Sequence, residues 1–136
     1  MDAALLDTDI LSELLKRRDP KVLTAAQRYL SQHPRLAFSA ISVYEIVRGL
    51  KATSAKRQLA EFLKTVGTSD VFSVSVPVLM RAAELWVTAR TGGHPHDDAD
   101  LIIAATALEH GRVLVTGNTA HFAWIPGLRL EDWRKP

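Results

Sequence analysis

The sequence predicts an α/β protein with a central, mainly parallel sheet, and three observations predict it. Short apolar runs suited to buried strands recur along the chain, stretches with apolar residues at helical spacing separate them, and no repeat or long linker interrupts the alternation. Strands joined through helices pair in parallel and take helices on both faces.

Residues 3–6, Ala-Ala-Leu-Leu, form the first strand, and Ile10, Leu11, Leu14 and Leu15 follow at helical spacing. Pro20 opens a second helical stretch through Val22, Leu23, Ala26 and Leu30, and residues 36–39 make the next strand. Residues 42–50 are helical and end near Gly49, residues 55–64 form an amphipathic helix, and residues 71–74 a strand. Val78, Leu79, Ala82, Leu85, Trp86 and Ala89 give a long apolar stripe, which assigns Trp86 to the core rather than to base stacking. The loop from Thr91 to His96 precedes an Ala- and Ile-rich helix over residues 98–110, then a strand over 113–116 and a last short one over 128–130.

The 136 residues suit one domain spanning 1–136, and 47% hydrophobic with 24% charged residues excludes a disordered chain. No apolar run approaches the ~20 residues that span a bilayer, and the N-terminus lacks the regions of a signal peptide. The expectation is a cytoplasmic protein without membrane contact. Zero cysteines remove disulfides, thiolate catalysis and Cys-ligated zinc, so any metal must take oxygen or imidazole ligands. A formal charge of +2 and a pI of about 9.2 are too mild to argue for a nucleic-acid partner. The placement of the acids carries more.

Parallel sheets bind ligands at the carboxyl ends of their strands. The first strand runs into Asp7-Thr8-Asp9, Glu45 follows the second, and Asp97, Asp98 and Asp100 crowd the start of the penultimate helix. Asp97 and Asp100 share a helix face, whereas Asp98 points elsewhere. Carboxylates gathered in a cleft raise one another's pKa unless a cation offsets them, and Mg²⁺ or Mn²⁺ suits oxygen ligands. Each acid also has a structural explanation. Asp7 can cap the first helix, Asp9 can sit in its first turn, and Asp97, Asp98 and Asp100 all suit a helix N-terminus. Ser42-Val43-Tyr44-Glu45 fits a capping box with Ser42 as N-cap and Glu45 at N3.

Four segments together resemble the PIN-domain family, and within it the VapC-like toxins of type II toxin–antitoxin pairs. They are Leu-Leu-Asp-Thr-Asp-Ile-Leu-Ser at 5–12, Ser-Ala-Ile-Ser-Val-Tyr-Glu-Ile-Val-Arg-Gly at 39–49, Asp-Ala-Asp-Leu-Ile-Ile-Ala-Ala-Thr-Ala at 98–107, and Val-Leu-Val-Thr-Gly-Asn-Thr-Ala-His-Phe at 113–122 with its continuation to Trp133. The resemblance implies a three-layer α/β/α fold and an endoribonuclease that hydrolyses RNA phosphodiester bonds with a metal-activated water and one or two Mg²⁺ or Mn²⁺ ions. It makes Asp7, Glu45 and Asp100 the catalytic and metal-binding acids, with Asp98 a further ligand and Asp9 and Asn118 additional candidates. The family often carries a fourth acid where this chain has Asn118 and His121. Thr116, Asn118 and Arg48 are the candidates for holding substrate. The implied partners are RNA, a VapB-like antitoxin, and a second copy of the chain in a homodimer and in larger toxin–antitoxin assemblies. Leu14, Leu15, Leu59, Phe62 and Leu63 are candidate antitoxin contacts, with core packing the competing explanation.

Two other functions compete. Asp7-Thr8-Asp9 after a strand also resembles the nucleophile motif of haloacid-dehalogenase-like phosphatases, with Asp97-Asp98 as their late acidic pair. A catalytically weak PIN-fold binding module is the other. His94 and His96 offer imidazoles, but a loop with no second matched pair argues against zinc.

Overall fold

The computed structural model describes residues 1–94 and 96–135. Among these residues five parallel strands form one sheet in the order β3-β2-β1-β4-β5: β1 (Ala4–Leu6), β2 (Ala37–Ser39), β3 (Asp70–Phe72), β4 (Val113–Val115) and β5 (Leu130–Glu131). Among the described residues seven helices flank it: α1 (Thr8–Lys16), α2 (Pro20–Leu30), α3 (Ala40–Ala52), α4 (Lys56–Gly67), α5 (Val76–Gly92), α6 (Asp98–Glu109) and α7 (Thr119–Phe122). The α/β/α layering agrees with the expected fold class. The short helix α7 has no counterpart in the apolar pattern, because four residues are too few to set a helical period.

Period-two alternation on the central strands splits the core between the two faces of the sheet. Ala4 and Leu6 of β1, Phe38 of β2 and Val115 of β4 pack with Ile10, Leu11, Val22, Tyr29 and Phe62 on the side of α1, α2 and α4. Leu5, Ala37 and Leu114 face the other way, onto Ala82, Leu85, Ile103, Ala104 and Ala107 of α5 and α6. The alanines keep α6 thin enough to lie flat against the sheet, so the helix is buried from Ile103 to Ala107. Phe38 is fully buried with its ring centroid 6.3 Å from that of Phe62. Phe38→Ala is therefore expected to cost about 3–5 kcal/mol of stability, read from a shift in the urea unfolding midpoint.

Two side chains depart from expectation. Trp86 is 43% exposed, since the stripe on α5 is wider than the face that α6 and the sheet cover, and Arg90 lies over its ring at 5.4 Å. Phe62 of α4 is 1% exposed and belongs to the core, whereas its neighbour Leu63 is 53% exposed. Among the described residues no helix is long and apolar enough to cross a membrane.

The chain lays β2 and β3 on one side of β1, then returns over α5 and α6 to place β4 and β5 on the other. The connections leaving β1 and β4 thus part in opposite directions, which opens a crevice at the carboxyl ends of those strands.

Candidate active site

That crevice is a cavity of about 370 Å³ lined by Asp7, Thr8, Asp9, Ser12, Glu45, Asp100, Asn118, His121 and Phe122. Asp7 leaves β1 and caps α1. Its Oδ1 accepts from the Thr8 N–H at 2.8 Å, and its Oδ2 accepts from Thr116 Oγ1, also at 2.8 Å. The capping explanation is thus realised for one oxygen only, while the other is held by a residue at the end of β4. Asp7 is 6% exposed, and burial, followed by the charge of Asp9, pushes its carboxyl up to about 7, against the pull of those two hydrogen bonds.

Glu45 lies on α3, but not as the far end of a capping box. The helix starts at Ala40 with Ser39 as its N-cap, the Ser39 hydroxyl accepting from the Ile41 N–H at 3.2 Å. Ser42 is therefore already inside the helix, fully buried, with its hydroxyl 2.8 Å from that of Thr8. Thr8 donates to Glu45 Oε1 at 2.7 Å. A hydroxyl has one proton to give, so Ser42 donates to Thr8 in turn, and the relay Ser42–Thr8–Glu45 fixes the carboxylate over the cavity.

Asp100 stands in the first turn of α6, which Asp97 caps by accepting from the Asp100 N–H at 2.8 Å. Burial and then the neighbouring Asp97 raise the Asp100 carboxyl, and a hydrogen bond that its Oδ2 accepts from His121 Nε2 at 3.0 Å opposes them. His121 comes from α7, beside Asn118, where the sequence offers no acid. Its imidazole is the feature that motif reading passes over, because the signal there is read as a missing carboxylate.

The remaining candidates separate. Asp9 lines the cavity but both its oxygens serve backbone, Oδ1 accepting from Ile10 and Oδ2 from Gly117 at 3.0 Å. Burial raises its carboxyl. A Cβ at Gly117 would stand 2.7 Å from Asp9 Oδ2 and collide with the Arg134 guanidinium, which donates to the Gly117 carbonyl. Asn118 reaches the cavity, its N–H donating to Thr116 Oγ1 at 3.1 Å. Thr116 itself is fully buried and spends its proton on Asp7, so it is placed to position that carboxylate rather than to meet a substrate. Arg48 sits at the rim, 3.8 Å from Glu45 and 5.0 Å from the ring of the exposed Tyr44.

Asp98 lies off this cavity, on a separate depression with Leu79, Ala82 and Trp86. Two positions along α6 turn it about 200° from Asp100. Asp97 caps the helix, so the late acidic pair of the phosphatase pattern does not stand beside Asp7. His94 and His96 both pack on Trp124, with centroids at 5.0 and 5.7 Å. Among the described residues no three His, Asp or Glu side chains stand close enough to form a metal cluster as they are. The acids share a cavity but keep apart, as like charges do.

A parallel α/β/α sheet whose topological switch holds three acids from three different elements, with hydroxyls fixing two of them, defines an acidic-cleft protein. The PIN domain family model matches residues 4–126, and the chain belongs to that family. The tRNA(fMet)-specific endonuclease VapC of Shigella flexneri is 27% identical over 130 residues, 95% of this chain and 96% of that protein. Ribonuclease VapC1 of Haemophilus influenzae (strain R2866) is 28% identical over 132 residues, 96% of this chain and 98% of the relative. Among solved structures, a DNA-bound VapBC from Salmonella typhimurium superposes with a TM-score of 0.85 at 26% identity, covering 98% of this chain and 99% of that one. VapBC-1 from nontypeable Haemophilus influenzae gives 0.84 at 26% identity, with the same coverage.

Proposed function

We propose that this chain is the ribonuclease toxin of a type II toxin–antitoxin pair and that it hydrolyses RNA with the help of Mg²⁺ or Mn²⁺. The observation that carries the reading is the gathering of Asp7, Glu45 and Asp100 on one cavity at the switch point of the sheet. Relatives named as endonuclease and ribonuclease support it.

The donor set fits a hard divalent ion: carboxylate oxygens and the amide of Asn118, no sulfur, and a buried Asp7 whose charge calls for a cation. Asp7, Glu45 and Asp100 would hold it, and Asp9 and Asn118, which line the same cavity, would be the donors for a second ion. When bound, the ion neutralises charge that builds up on the phosphodiester and lowers the pKa of the attacking water. The chain's own residues do the rest. Thr116 and the Thr8 N–H favour the ionised form of Asp7 and fix both its oxygens. Thr8 holds Glu45 in the same way. With Asp100 ionised, the proton of their hydrogen bond belongs to His121 Nε2, which sets the tautomer and leaves Nδ1 as the ring's acceptor. Arg48 is the rim cation for an RNA phosphate.

The test is incubation of the purified, antitoxin-free protein with total bacterial RNA in Mg²⁺ or Mn²⁺, beside EDTA and Asp7→Asn controls, with fragment 5′ ends mapped. Discrete cuts lost in both controls support the nuclease. Cuts that persist in both come from a contaminant, and no cuts together with no Mn²⁺ binding at millimolar concentration leave a binding module.

The antitoxin fits a second feature, a groove of about 510 Å³ between α1, α2 and α4 lined by Leu11, Leu14, Leu15, Leu23 and Leu30. An amphipathic segment of a VapB-like partner would fill such a groove with its apolar face. Leu30 is 43% exposed, so Leu30→Glu leaves the fold intact. It is expected to weaken the complex roughly tenfold or more in calorimetric titration with the antitoxin, with the far-UV circular dichroism of the toxin unchanged.

A further inference from the structure

A depression of about 380 Å³ lies on the outer face of α2, away from the antitoxin groove, with Trp133 in its wall and Lys21, Arg28 and Lys135 around it. Lys21, Thr24 and Arg28 recur at helical spacing, so they share one face of α2, while Val22, Ala26 and Tyr29 turn inward to the core. The three cations are exposed, and among the described residues none has a carboxylate within 4.0 Å, whereas seven other basic groups do. Trp133 is 2% exposed and wedged beside Tyr29 at a centroid distance of 5.7 Å. Its indole N–H is buried and has no acceptor among the described residues. Indole nitrogen can only donate, so the group that complements it is an acceptor, and the surrounding charge makes that acceptor an anion.

The position ties the depression to the acidic cavity. Arg134, next in the chain to Trp133, donates to the Gly117 carbonyl, and the Gly117 N–H donates to Asp9 at the cavity wall. Two consecutive residues thus reach from one place to the other. An RNA strand needs its backbone neutralised beyond the acids that do the chemistry, and Arg48 is the rim cation already assigned to it. We propose that the pocket formed by Lys21, Arg28, Lys135 and Trp133 is a phosphate subsite for the RNA strand outside the catalytic cavity. This rests on the ribonuclease reading. The three cations take a phosphate and the Trp133 N–H one of its oxygens, with the apolar wall of Pro20 and Ala25 beside the adjoining sugar.

The experiment uses the full chain and a fluorescein-labelled single-stranded RNA in EDTA, where binding is read without cutting. In the Lys21→Gln/Arg28→Gln/Lys135→Gln variant the dissociation constant is expected to rise at least about tenfold, and the log–log salt slope to fall by roughly 0.7, the value for one phosphate no longer neutralised. In Mg²⁺ the loss falls on KM rather than kcat. Trp133 adds a second readout: its indole N–H resonance, assigned by its disappearance in Trp133→Phe, shifts on titration with the same RNA. If the wild type cleaves RNA but the triple variant binds with the same affinity and slope, the subsite is overturned and the nuclease stands. If the wild type neither cleaves nor binds RNA, both fall. If RNA binding is unchanged while the triple variant loses affinity for the antitoxin, the pocket is a protein dock and the subsite is again overturned.

Discussion

Asp7→Asn is expected to abolish RNA cleavage and, in the same preparation, to raise the stability of the metal-free protein at pH 8. The two effects have one cause. Folding takes Asp7 out of water beside Asp9 and Asp100, so its carboxyl titrates at about 7 instead of 3.8. The folded state then holds the proton more tightly than the unfolded chain. Stability from this group is full below pH 3.8 and is lost as pH climbs toward 7, at up to about 1.4 kcal/mol per pH unit. Asparagine escapes that loss and keeps both hydrogen bonds, since its carbonyl accepts from Thr8 N–H and its amide donates to a rotated Thr116 hydroxyl. Urea unfolding of both proteins in EDTA at pH 5 and pH 8 checks the claim. The variant should gain most at pH 8 and less than half as much at pH 5, and Mn²⁺ should stabilise the wild type alone. A variant that is less stable at pH 8 would reduce Asp7 to a helix cap.

The next largest effect is expected at a residue that touches no substrate. Thr116→Val keeps shape and removes one proton donor, leaving Asp7 Oδ2 and the Asn118 N–H without their partner. Positioning hydrogen bonds of this kind are worth about 10–100-fold in activity or metal affinity. The Thr116 hydroxyl lowers the Asp7 pKa, so its loss moves that pKa further up. The pH–rate profile in Mn²⁺ should therefore shift to the alkaline side, with much of the lost rate recovered at pH 9. Thr116→Ser should restore the wild-type profile. A uniform loss at every pH, unrescued by serine, would make Thr116 a packing residue.

What could be read from the residues follows from how local each signal was. Alternating strands and helices imply a parallel sheet whose loops meet after its strands, which made a group of acids legible, and the resemblance to the PIN family singled out Asp7, Glu45 and Asp100 among them. Helical geometry turns Asp98 away from Asp100, yet the family pattern made it a further ligand, and the structure corrects that by placing it on a separate depression. The capping box was misleading because Ser39 and Ser42 are equally good caps by type. Burial of the Ser42 hydroxyl against Thr8, which depends on the packing of α1 on α3, decides between them. His121 could not be paired with Asp100 from sequence, since the two are 21 residues apart and meet only across the crevice. Trp86 was misplaced because apolar spacing reports a helix face without saying how much of it a neighbour covers.

The order of strands also sets when the cleft can be completed during folding. Asp7 lies 109 residues from Thr116 and Asp100 lies 21 from His121, yet the cleft needs all four together. β1 cannot take its central place until β4 arrives to flank it. A chain cut before β4 therefore carries Asp7, Glu45 and Asp100 without an assembled site.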